Sequence, residues 1–121
     1  MPGLSGEHLR DSIAQLLRMK YQNVVVEKRL ETTTADVLFL DDTNPIFPRT
    51  IAVEAKDWNR RLSSEDIATI YNLYAPSLIS RKIDYLWIIG SLLGCLITIF
   101  CFSSTMNHHN ILYKRALRTA M

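Results

Sequence analysis

Cysteine is scarce in this chain: Cys95 and Cys101 are the only two, and both fall in one apolar run. A disulfide framework is therefore excluded, and two reduced, buried thiols of a cytosolic protein are expected. Charge of one sign is also lacking, since 14 Lys and Arg stand against 12 Asp and Glu for a formal net charge of +2. Such a balance permits a nucleic-acid partner without demanding one, because any basic patch has to be local. No internal repeat and no low-complexity tract is present. The opening "MPGLSGEHLR" has no apolar core after its start, so it does not read as a secretory signal. What remains is a chain of 121 residues, 48% hydrophobic and 21% charged. That is enough for one compact domain and too little for two.

Helical and strand patterns alternate along it. Ser5 suits a helix cap before Gly6, with Glu7 in the first turn, where the positive end of the helix dipole favours an acid. Leu9, Ile13, Leu16 and Leu17 then form an amphipathic stripe. "NVVVEKRL" (23–30) is β-branched and predicts a strand, and "ADVLFLDD" (35–42) a second. "TNPIFP" supplies turn residues, and "RTIAVEAKDW" (49–58) predicts a third strand. Ser63 and Asp66 make a capping-box pattern for a second helix, with Ile67, Ile70, Tyr71 and Tyr74 on one face. Pro76 predicts an end or a kink just before it. "IDYLWIIG" (83–90), almost wholly apolar, predicts a central fourth strand. The order is αβββαβ, a mixed central sheet flanked by helices.

The third strand carries the chemistry. Glu54 and Lys56, two residues apart, share one face of it. Pro45 lies midway between Asp36 and Glu54, so a hairpin symmetric about it sets Asp36 across from Glu54. Two carboxylates and a lysine then converge. Paired carboxylates suit Mg²⁺, which keeps several waters and also binds phosphate oxygens. An ammonium beside the ion can orient a water or offset charge on a phosphorane. Read apart from one another, Glu54 and Lys56 are a solvated pair and Asp36 a strand-start residue. Asp41 and Asp42 read as turn residues.

"ADVLFLDD…IAVEAKDW" resembles the PD-(D/E)xK signature of the restriction-endonuclease-like nucleases, with Asp36 as its aspartate and Glu54-Ala55-Lys56 as its (D/E)xK. The Mrr-like branch, associated with type IV restriction of foreign or modified DNA, is the most similar. Ala35 stands where the name-giving proline would be. The resemblance spans roughly residues 5 to 90. It implies a restriction-endonuclease-like αβββαβ core and a Mg²⁺- or Mn²⁺-dependent endodeoxyribonuclease acting in restriction or defence. Asp36 and Glu54 would hold the metal with the Ala55 carbonyl assisting, and Lys56 would position the water. A first-helix glutamate often joins the site in that branch, and Glu7 is the matching residue; a dipole-favoured helix start is its other reading. Arg60 and Arg61 are placed for a DNA backbone, or else lie in a solvated loop. Implied partners are DNA, a second copy in a homodimer, or the rest of a larger multidomain defence protein. The alternative function is a non-catalytic module that keeps this fold for nucleic-acid binding or assembly.

Domain organisation follows: residues 1–90 form the nuclease-like domain, and 91–121 an apolar, then polar, C-terminal segment. "YLWIIGSLLGCLITIFCF" (85–102) is uncharged and long enough to span a bilayer, which would make a small membrane protein. A strand at 84–89 excludes that span, and the strand is the favoured reading. The apolar segment after it is then expected to lie against the domain or a partner. His108 and His109 with Cys95 and Cys101 match no usual zinc spacing.

Overall fold

The computed structural model describes residues 6–58, 63–92, 96–103 and 114–120. Two helices, α1 (Gly6–Arg18) and α2 (Ser64–Ile79), accompany six strands: β1 (Val24–Arg29), β2 (Thr34–Asp41), β3 (Arg49–Trp58), β4 (Tyr85–Leu92), β5 (Leu96–Ser103) and β6 (Lys114–Ala120). The strands form one mixed sheet in chain order, β1-β2-β3-β4-β5-β6. Among the described strands only the β3–β4 pair is parallel; the others are antiparallel. A parallel pair needs a crossover, and α2 supplies it.

The helices cover opposite faces, as strand parity shows. Leu9, Ile13 and Ala14 of α1 pack with Val37, Phe39, Ile51, Val53, Ala55 and Ile89. Ile67, Ile70, Tyr71, Tyr74 and Leu78 of α2 pack with Ala52, Leu86, Ile88 and Phe102. Successive residues of β3 and β4 thus point to opposite cores, which is why both strands read as nearly continuous apolar runs. The stripe on α1 is shifted from the sequence reading: Ala14 is wholly buried, whereas Leu16 is 68% exposed.

The β2–β3 hairpin is symmetric about Pro45, from Asp41↔Arg49 to Val37↔Val53. Its turn is built locally. Asp41 accepts from the Thr43 amide and hydroxyl, and Asn44 accepts from the Ile46 amide, the short loops that Asp and Asn favour. At the start of α2 the Ser63 side chain accepts from the Asp66 amide while the Asp66 carboxylate accepts from the Ser63 amide, a closed capping box. Pro76 does not end α2, which runs on to Ile79. The proline forfeits one intrahelical bond, but the last turn buries Leu78 in the core, and that burial works against the loss.

The sheet continues past residue 90. β5 pairs with β4 over eight residues, from Leu92↔Leu96 to Tyr85↔Ser103, and so lies against the domain. Phe102 is fully buried against Tyr71, with ring centroids 5.1 Å apart. Within 85–102 the described residues are two strands, and no described helix is long and apolar enough to cross a membrane. Ser5, Arg60, Arg61, Cys95, His108 and His109 lie outside the described residues.

Candidate active site

Asp36, Glu54 and Lys56 meet at the end of the β2–β3 hairpin remote from its turn. The last ladder pair is Val37↔Val53; beyond it the strands are tied by a side chain, because Asp36 Oδ2 accepts from the Ala55 amide at 2.8 Å. Glu54 and Lys56 share the parity of Ala52 and so face the α2 side. Lys56 Nζ stands 3.1 Å from Glu54 Oε2, and the Tyr74 hydroxyl of α2 donates to Glu54 Oε1. Burial is graded along this chain: Tyr74 is wholly buried, the Glu54 side chain is 13% exposed and that of Lys56 34%. Glu54 is thus a nearly buried carboxylate with a partner on each oxygen, the arrangement a buried charge requires.

A backbone irregularity surrounds Asp36. Strict alternation puts residues 35 and 37 on one face, yet Ala35 packs beneath α2 and Val37 beneath α1. On the neighbouring strand Glu27, which falls between the pairs Val26↔Val37 and Lys28↔Ala35, has φ of 54°. A left-handed residue within a strand is uncommon away from glycine and marks a local departure from the pleat. The Glu27 side chain pairs with Arg10 of α1, whose Nη1 is 2.7 Å from Glu27 Oε1 and whose Nε is 2.9 Å from Asp11 Oδ1.

The Asp36 carboxyl is pushed above the usual aspartate range. Burial is the main cause, and the Glu54 charge adds to it, while the Ala55 amide, Lys56 and Arg10 pull the other way. Burial and the adjacent Glu54 also drive the Tyr74 phenol far up, so it stays a donor at any working pH.

The side-chain donors at this corner are hard oxygens, the Asp36 and Glu54 carboxylates, and Ala55 enters it through its amide. The two carboxylates fit Mg²⁺ or Mn²⁺ better than a softer metal. Among the described residues no three His, Cys, Asp or Glu side chains gather into a cage. Mg²⁺ is commonly held by one or two carboxylates with waters in its other positions, so two suffice. Glu7 is exposed in the first turn of α1 and does not join Asp36 and Glu54 in a three-carboxylate group. Asp41 is engaged in its own turn.

Comparison with known proteins finds no matching family model, no matching curated protein and no matching solved structure.

Three residues at the site lay hidden in the sequence pattern. Tyr74 reads as one more member of a helical core stripe; the available signal was its hydroxyl, which needs a partner when buried. Arg10 and Glu27 carry no local signal, since their ion pair joins residues 17 apart in the chain.

Proposed function

We propose that this chain is a metal-dependent DNA endonuclease with a restriction-endonuclease-like αβββαβ core and an Mrr-like site, acting in restriction or defence in the cytoplasm. The observation that carries the reading is the meeting of Asp36 and Glu54 from adjacent strands, with Lys56 3.1 Å from Glu54 and Asp36 bonded to the Ala55 amide. Asp36 and Glu54 would hold Mg²⁺ or Mn²⁺, with the Ala55 carbonyl as an auxiliary donor. The bound ion supplies Lewis-acid stabilisation and a more acidic water. Lys56, more exposed than Glu54, would orient an attacking water and offset charge gathering on the phosphorane. The buried end of the site keeps Glu54 fixed while the open end admits a phosphodiester.

The test is cleavage of plasmid DNA with Mg²⁺ or Mn²⁺ by the wild type and by Asp36→Asn, Glu54→Gln and Lys56→Ala. Each substitution is expected to lower the cleavage rate at least about 100-fold, as for removal of one electrostatic stabiliser, with circular dichroism unchanged. Folded variants that all cut as fast as the wild type would remove the reading.

One observation favours a second reading. Both Glu54 oxygens are already bonded within the protein, to Tyr74 and to Lys56. Such a self-satisfied pair suits a module that keeps the fold for nucleic-acid binding or assembly. DNA retention without cleavage under any divalent cation distinguishes it.

A further inference from the structure

We infer that Tyr74 is a positioning residue that fixes Glu54 as a single-oxygen ligand and so tunes the corner to a small octahedral cation. The inference deepens the nuclease reading and rests on it.

The two oxygens of Glu54 have different partners. Oε1 receives the Tyr74 hydroxyl, and Oε2 faces Lys56 at 3.1 Å. The second acceptor near that hydroxyl, the Thr34 carbonyl, is 3.4 Å away. A phenol has one proton, and a carboxylate is the stronger acceptor. Glu54 therefore holds the bond, and Thr34 is at most a weak alternative.

Tyr74 cannot easily move aside. Its ring is wholly buried in the core beneath α2, among Ala52, Ile70, Tyr71 and Leu78. The helix is anchored at one end by the capping box and at the other by the burial of Leu78. Near its middle, the Leu73 carbonyl accepts from the Thr32 hydroxyl at 2.7 Å, which ties this turn of α2 to the β1–β2 loop. A donor on a rigid mount pins the Glu54 carboxylate in one rotation.

Coordination chemistry supplies the consequence. Mg²⁺ demands a near-ideal octahedron of single oxygens, whereas Ca²⁺ takes six to eight oxygens in flexible spheres that accept bidentate carboxylates. With Oε1 held by Tyr74, Oε2 is the oxygen left to a cation, which reaches it by displacing the Lys56 ammonium 3.1 Å away. The pinned carboxylate thus suits the smaller ion, and a freed one would serve the larger ion nearly as well.

Tyr74→Phe keeps the ring and deletes the donor. Mg²⁺ and Ca²⁺ affinities are read from the cation dependence of the melting temperature, for variant and wild type, without DNA. Mg²⁺ affinity is expected to fall about 10- to 100-fold, as when a ligand's supporting hydrogen bond is lost, and Ca²⁺ affinity by less. An unchanged Mg²⁺ affinity, or an equal loss for both ions, overturns the inference alone. A wild type that no divalent cation stabilises overturns the nuclease reading as well. Should Tyr74→Phe fail to fold, the wild type with Cζ-labelled tyrosine decides the matter by NMR. Mg²⁺ should shift the Tyr74 signal and leave that of Tyr71, stacked near Phe102, in place; a stationary Tyr74 signal overturns the inference.

Discussion

Asp36 is held at a cost to the fold. Its carboxyl is raised in the folded state, chiefly by burial. A raised acid binds its proton more tightly folded than unfolded. Stability therefore falls as pH climbs from the unfolded aspartate value through the folded one, and the full penalty stands at neutral pH. Asp36→Asn removes the charge and keeps an oxygen for the Ala55 amide. It should raise the urea midpoint at pH 7 and leave it nearly unchanged at pH 2 to 3, where the wild-type group is protonated in both states. Equal midpoints at pH 7 would mean that burial does not burden this group. Lys56 bears on the same corner differently, because it already occupies the oxygen of Glu54 that a metal would need. Lys56→Met should bind Mg²⁺ or Mn²⁺ more tightly than the wild type while losing cleavage; weaker binding in a titration would contradict this competition.

At the scale of elements, the sequence was most legible where a pattern was local and two-sided. The hairpin register could be read from Pro45 because Asp41, Thr43 and Asn44 build its turn from neighbouring atoms. The start of α2 was legible for the same reason. Ser63→Ala should lower stability by roughly 1 kcal/mol, as loss of an N-cap does, and a denaturation curve superimposed on the wild type would show the cap to be idle. That α2 runs on past Pro76 was not legible, since Pro76 marks a missing donor locally while the burial of Leu78 is decided by distant residues. Strand β5 was illegible for another reason. Phe100 and Phe102 pack on the α2 side and Ile99 on the α1 side. A strand apolar on both faces loses its period of two, and it then looks like any apolar run. The candidate site was legible as three residue types at the right spacing. The Tyr74 hydroxyl and the left-handed Glu27 that surround it were not, because each depends on another element.

For the whole molecule, the sheet rather than residue 90 sets the limit of the fold. Phe102 closes the core beneath α2, and β5 covers the full length of β4. Phe102→Ala should cost about 3 to 5 kcal/mol, the range for truncating a buried phenylalanine. A chain stopped after Leu92 should lose cooperative unfolding, because β4 would be left as a bare apolar edge. A truncated chain with an unchanged urea midpoint would show β5 to be an accessory.

The order of strands in space is the order in the chain, and this bears on how the molecule forms during synthesis. No strand waits for a later one to be inserted beside it, so each can join the edge left by its predecessor as it leaves the ribosome. Loop-closure entropy is small for the antiparallel neighbours joined by short connections. The slow event is the single parallel junction, where α2 must be laid down before β4 finds β3. Asp36 therefore reaches the Ala55 amide as soon as the β2–β3 hairpin shuts, whereas Glu54 remains without Tyr74 until that crossover has closed.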